Sequence, residues 1–391
     1  MATMIVKATE ACNSNCLYCD VVHKAVKGPT TMPLDVIECL FRRANEFLEE
    51  TPNEELNVVW HGGEPLLLGP GSYAQALEFQ RRHCHDTSAR IHHSIQTNLS
   101  LFTSEFARVF RELGIDCIGT SYDPIGGVRG PGKPPDTAIY NARFLRGLEV
   151  VEQEGFGWGV IYVVTQFTLK RPDALFYFMT NLKPDGGISF SPVLVYGPEP
   201  RHLAITPEEY ADFLGTIFRL WWPHSERFRG VEPFRSLLRN AREGACSLGC
   251  GESGQCAASH WNLAPDGRVS HCGRSHDWGL LDYGSIFDRS LADMRRDGQR
   301  DILAQRNEVL TNGDCQGCRL WLICHGGCPL DSWAATGSFG HKTPWCRATK
   351  RFVETHFEPV TGLRLKFSVE DGPLGGSEPL GATSAQVEST P

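Results

Sequence analysis

The sequence has no long hydrophobic run. Across 391 residues nothing approaches the roughly 18 consecutive apolar residues that a bilayer-spanning helix needs. The amino terminus, MATMIVKATEAC, lacks the basic segment and apolar stretch of a secretory signal, so a cytoplasmic, membrane-free protein is expected. Positive charge is also scarce. Lys and Arg total 38 against 46 Asp and Glu, a net charge of −8, and no basic run stands out, which argues against a nucleic-acid partner. No solenoid-type repeat is visible, and large apolar residues thin out only at the end, so residues 366–391 are expected to be a disordered tail. With 41% hydrophobic residues the rest can bury a core, enough for two or three domains or one large α/β barrel with an appendage.

What the chain has in excess is cysteine, fifteen in all. In a reducing compartment a disulfide framework is not expected, and metal or redox chemistry is the better use of thiols. They cluster, with three at 12–19, four at 246–272 and five at 315–346. Cys39, Cys84 and Cys117 stand alone and read as packed thiols.

Between the first two clusters, strand-like and helix-like segments alternate. MIVKAT (4–9), LNVVWHGG (56–63), IHHSIQTN (91–98), CIGTSYD (117–123), WGVIYVVT (158–165) and GISFSPVLV (187–195) read as strands. Helical patterns fall between them at 34–48, 73–84, 104–114, 140–155 and 173–182. About six β/α units call for a parallel sheet, open or curled. Functional groups on such sheets collect at the carboxyl ends of strands, where the first cysteines, HGGEP, QTN and TSYD all lie. From about 205 the pattern turns helical and then Gly- and Cys-rich.

In KATEACNSNCLYCDVV (7–22), Cys12, Cys16 and Cys19 are spaced C-x3-C-x2-C. Three thiolates on a short loop suit three corners of a [4Fe–4S] cluster with one iron open, or three positions of a zinc ion. Zinc would want a fourth closed ligand, and His23 is the only local candidate, so the spacing favours the cluster.

This trio after the first strand, with GGEP after the second, resembles the radical S-adenosylmethionine (SAM) superfamily. The resemblance implies that the open iron chelates SAM and that reductive cleavage yields a 5′-deoxyadenosyl radical. It also implies SAM contacts from Gly62, Gly63 and Glu64, from Asn98, from Ser121 in TSYD and from Arg146. For Arg146 the alternative is a solvated helix-face charge. The chain departs from the pattern after the third cysteine, where relatives often carry an aromatic residue and this chain has Asp20; Tyr18 is expected to line the adenine pocket instead.

The carboxy-terminal half resembles the SPASM extension of radical SAM enzymes. Cys256, then Gly267 and Cys272, then C-x2-C-x5-C-x3-C over Cys315, Cys318, Cys324 and Cys328, and finally Cys346, match its pattern. Carried over position by position, Cys250, Cys256, Cys272 and Cys328 hold auxiliary cluster I, and Cys315, Cys318, Cys324 and Cys346 hold auxiliary cluster II. Cys246 is left over as a spare thiol. The expected architecture is α/β: a partial (β/α)6 TIM-type barrel over 1–235 and a SPASM domain over 236–365. The expected cofactors are three [4Fe–4S] clusters and SAM, served by a flavodoxin- or ferredoxin-type reductant.

SPASM enzymes mostly modify peptides or proteins. Sulfatase-maturing relatives carry an Asp after the cysteine matching Cys272, where this chain has Gly273, with His271, His276 and Asp277 nearby. The substitution favours peptide crosslinking, as a cyclophane or thioether, over formylglycine formation, and no residue is named as a catalytic acid or base. No leader-binding element precedes the trio, which leaves peptide recognition to the barrel mouth, the RGPGKPPD loop (129–136) or a separate protein. The alternatives are a small-molecule dehydrogenase or epimerase and, from another class, a non-catalytic iron–sulfur electron carrier, which the open-iron motif opposes.

Overall fold

A computed structural model describes residues 1–19, 30–195, 201–244 and 250–365. Asp20, His23, Cys246 and the tail expected over 366–391 lie outside the described residues.

One ten-stranded sheet organises the molecule, in the order β10-β9-β8-β1-β2-β3-β4-β5-β6-β7. Its first seven strands are β1 (Ala2–Thr9), β2 (Leu56–Gly62), β3 (Ile91–Thr97), β4 (Cys117–Ser121), β5 (Gly157–Val164), β6 (Gly187–Pro192) and β7 (Val231–Glu232), each parallel to its neighbour. Between them run α1 (Leu34–Glu50), α2 (Pro70–His83), α3 (Ser104–Glu112), α4 (Thr137–Gln153), α5 (Pro172–Asn181) and α6 (Pro207–Trp221); α7 (Phe234–Glu243) follows β7. The sheet stays open, since β7 and β10 are its two edges.

The sequence dictates most of this directly. Leu56, Val58 and Trp60 alternate along β2 and are wholly buried. Val36, Ile37, Leu40, Phe41, Ala44, Phe47 and Leu48 form a helical stripe on α1 that covers the sheet. Helix α4 begins at Thr137, ahead of the 140 expected from periodicity, because the Asp136 side chain accepts from Ile139 N and caps it. Helix α6 starts on a full capping box, Thr206 with Glu209, and has Pro207 in its first turn. Under the sheet Trp60 donates to His93 Nδ1 at 3.2 Å, so His93 Nε2 is left to donate to Gln80 Oε1 at 2.7 Å. Burial holds that imidazole neutral, with its pKa pushed down to about 3.

The Cys-rich half does not stand apart from this sheet. Strand β8 (His260–Leu263) pairs in parallel with β1, and β9 (Arg268–Ser270) and β10 (Asp282–Ser285) continue antiparallel beyond it. Strand β1 is therefore central, between β2 and β8, which explains why its second half, Val6–Thr9, is buried on both faces. The sheet thus runs across the division expected at 235–236.

Candidate functional site

The first cysteine loop leaves β1 at the carboxyl edge of the sheet and is fixed through its main chain. Gly63 N donates to Thr9 O at 2.7 Å and Glu64 N to Ala11 O at 2.9 Å. From the other side Asn15 N reaches Gly130 O at 2.7 Å and Leu17 N reaches Val128 O at 2.9 Å. Between these clamps the thiols of Cys12, Cys16 and Cys19 are unbonded to one another. Burial pushes the Cys12 thiol up to about 12, and the charges of Glu64, Cys16 and Cys19 add to the effect. Three thiols held together in a poorly solvated space would give up their protons to a cationic metal group bound among them.

The GGEP turn packs closely against the cysteine loop. A Cβ on Gly62 would lie 2.2 Å from Thr9 O, and one on Gly63 would lie 2.2 Å from Ala11 O. Gly62 also has φ +119°, in the region glycine tolerates. Both glycines let β2 close against the start of the cysteine loop, so the tight approach is to the chain itself. Glu64 is wholly buried and accepts from Thr97 Oγ1 at 2.6 Å, Leu66 N at 3.0 Å and Asn98 N at 2.8 Å. Its carboxyl braces the β2 and β3 ends against each other. Asn98 extends the brace. Its Nδ2 donates to Asn13 Oδ1 at 2.8 Å, and its Oδ1 accepts from Ser100, to which Asn13 also donates. The cysteine loop is thereby tied to the end of β3 by side chains as well.

Tyr18 is half-buried, and its hydroxyl donates to Asp123 and accepts from Arg129 Nη1 at 2.9 Å. Arg129 also pairs with Asp123 at 3.0 Å and lies 4.8 Å over the Tyr140 ring. The Tyr18 hydroxyl is thus committed to a buried polar knot, leaving only its ring for an adenine pocket. The Nε of Arg129 is buried without a hydrogen-bond partner among the described residues, and its charge is felt at Cys16 and Glu64. An orphaned guanidinium N–H beside the thiols suits a negatively charged group bound there. Ser121 ends β4, with its hydroxyl accepting from Gln96 Nε2 at 3.1 Å. Arg146 is exposed on α4, with no hydrogen bond or ion pair among the described residues; the solvated-face reading describes it better than a place beside SAM. Asp123 and Arg129 were missed from sequence, although both sit in segments singled out there, TSYD and the glycine-rich loop after it.

The carboxy-terminal thiols form two separate groups. Cys250 is pushed up to about 12 by burial and by Cys328, Glu252 and Cys272, while Cys256 is raised by burial and by Cys250, Cys328 and Cys272. These four sulfurs share one space. Cys315, Cys318, Cys324 and Cys346 line a single pocket whose other walls include Leu320, Trp321 and Lys350. Each group has the donor set of a closed four-thiolate metal site.

Around these tetrads the elements are short, apart from the continuous helical run from Cys346 to Thr361, and buried arginines tie the loops together. Arg306 donates to Phe339 O (2.8 Å), His325 O (2.9 Å), Gly326 O (3.1 Å), His341 O (3.0 Å) and Ser332 Oγ (3.2 Å). Arg300 donates to the carbonyls of Met294, Ala257 and His260, and stacks 4.4 Å over Tyr283. Between tetrad and trio, Lys7 on β1 and Asp277 on the short helix Gly273–Asp277 form a buried ion pair, with Glu10 and His276 3.6 Å apart beside it.

Residues 6–176 match the radical SAM superfamily. The chain is 24% identical over 367 residues to the serine-type anaerobic sulfatase-maturating enzyme of Bacteroides thetaiotaomicron, covering 85% of this chain and 83% of that one. It is 23% identical over 371 residues to the cysteine-type enzyme of Clostridium perfringens, covering 91% and 96%. In fold it is similar to native anSMEcpe with bound AdoMet (TM-score 0.77, 21% identity, 92% and 98% covered). It is also similar to Streptococcus suis SuiB bound to precursor peptide SuiA (TM-score 0.59, 14% identity, 88% and 75% covered). With the thiol trio at the mouth of a parallel sheet and this homology along most of its length, the chain is a radical SAM enzyme related to the anaerobic sulfatase-maturating enzymes.

Proposed function

We propose that the protein is a radical SAM/SPASM oxidoreductase that installs an oxidative modification on a peptide or protein, a crosslink such as a cyclophane carbon–carbon bond or a thioether. The observation that carries this reading is the sorting of eleven cysteines into one open trio and two closed tetrads. Cys12, Cys16 and Cys19 would hold the SAM-binding [4Fe–4S] cluster, and the two tetrads would hold auxiliary clusters I and II. When bound, the first cluster and SAM supply a 5′-deoxyadenosyl radical that takes a hydrogen atom from substrate. The chain's own residues prepare that place. Glu64, Asn98 and Asn13 fix the cysteine loop against the ends of β2 and β3. Arg129, held by Asp123 and Tyr18, offers positive charge beside Cys16. A peptide partner is supported by the two fold neighbours seen with peptides, anSMEcpe with Cp18Cys and SuiB with SuiA. A flavodoxin- or ferredoxin-type protein would supply the electrons.

Sulfatase maturation is the second reading, favoured by the names of the relatives. Against it stands Gly273, which has no side chain to act as a base where the resemblance leads one to expect an Asp. The test is co-expression with short peptides encoded beside the gene and, separately, with a sulfatase-derived peptide. A crosslink appears as loss of two hydrogens from a precursor that does not react with hydrazide reagents. A hydrazide-reactive aldehyde on the sulfatase peptide, with the precursors unchanged, replaces the first reading by the second.

A further inference from the structure

The two tetrads differ in what touches their sulfurs. In the second, Lys350 lines the pocket and the charges of Lys350 and Lys342 are felt at Cys346, but no side-chain N–H or O–H hydrogen bond to Cys315, Cys318, Cys324 or Cys346 occurs among the described residues. In the first, two sulfurs have such donors. Arg274 Nη2 lies 3.1 Å from Cys328 Sγ, and its other Nη is anchored on Asp331. His271 Nε2 lies 3.1 Å from Cys256 Sγ. The Tyr283 hydroxyl is 3.2 Å from His271 Nδ1.

The direction of that last bond follows from its surroundings. A thiolate serving as a metal ligand has no proton to give, so His271 must donate from Nε2. Its Nδ1 then has to accept, and the Tyr283 hydroxyl is the donor in place. Tyr283 and His271 are 0% and 1% exposed, so no bulk water competes for either atom. The chain Tyr283 to His271 to Cys256 therefore has one consistent set of proton positions.

One-electron reduction adds a negative charge to a cluster and its thiolates, and N–H donors to the sulfurs stabilise that added charge. We propose that Arg274 and His271, the latter oriented by Tyr283, are positioning residues that raise the reduction potential of the cluster held by Cys250, Cys256, Cys272 and Cys328. The inference rests on the assignment of these cysteines as ligands. It gives function to His271 and Arg274, whose neighbourhood the sequence marked without assigning a role.

The experiment is potentiometric titration of the anaerobically reconstituted enzyme, followed by electron paramagnetic resonance, for the unsubstituted protein and for Arg274→Met, His271→Ala and Tyr283→Phe. Iron is counted first. About twelve irons per chain (three four-iron clusters) in every variant shows that the sites are loaded, whereas four or fewer in the unsubstituted protein defeats the ligand assignment itself. With loading intact, Arg274→Met and His271→Ala should both move the same one of three signals to more negative potential. The expected shift is about tenfold in the oxidised-to-reduced ratio, about 59 mV for one electron. Tyr283→Phe should move that signal by less, and Arg274→Lys should restore part of the shift. No movement in any signal, or movement of different signals by the two variants, overturns the inference.

Discussion

The sheet-bearing half and the tetrad-bearing half of this protein solve the same problem, holding cysteine loops still, by different means. In the first, the trio is clamped by main-chain hydrogen bonds to neighbouring strand ends, on a core of fully buried Trp60, Phe41, Phe47 and Tyr73. In the second, short helices and one longer helical run starting at Cys346 surround the thiols, and guanidinium groups stitch carbonyls together where regular ladders are missing. A hydrophobic core exists whether or not a metal is bound. Thiols packed in two groups do not make a stable interior by themselves, so the loops of the second half should owe their order to their metals in a way the first half does not.

Metal removal should break the comparison most sharply. Structural metal sites contribute on the order of 10 kcal/mol to folding. Chelation of the reconstituted protein is expected to expose 250–346 to limited proteolysis while 30–195 stays resistant, as read by mass spectrometry of the fragments. Equal loss of both halves would show one cooperative unit. Next in size is Arg306→Met, which strands five acceptors around a buried apolar chain. It should cost roughly 4 kcal/mol or more, with amide exchange rising first in 306–346 and only weakly in β2 and β3. The smallest effect reverses the direction. His93 is neutral inside the sheet half, its folded pKa of about 3 lying below the unfolded 6.5. The unfolded chain therefore gains a proton first as pH falls. The stability associated with His93 is complete above 6.5 and declines below it by up to roughly 1.4 kcal/mol per pH unit. His93→Gln should flatten that part of the denaturant-midpoint profile between pH 6.5 and 4.

Local periodicity made the first half readable. Strand alternation at 56–62 and the stripe on α1 depend on neighbours two to four residues away, so the elements stand close to where the pattern puts them. The cysteine clusters stand out as local runs, whereas their division into tetrads, which joins Cys328 to Cys250, came from the resemblance to the SPASM extension. What escaped was long-range. Nothing in HWNL announces a strand that pairs with residues 3–6, more than 250 positions earlier. The inward turn of Glu64 depends on Thr97 and Asn98, the knot around Arg129 on Tyr18, and the role of Arg306 on carbonyls up to 35 residues away. Arginines look alike in sequence whether they face solvent or hold carbonyls.

The placement of β1 between β2 and β8 has a consequence for biosynthesis. Residues 3–6 leave the ribosome more than 250 residues before their partners at 260–263. Until then one rim of the nascent sheet presents unsatisfied amides beside the loop that carries Cys12. The rim beside the first strand is completed only when β8 docks.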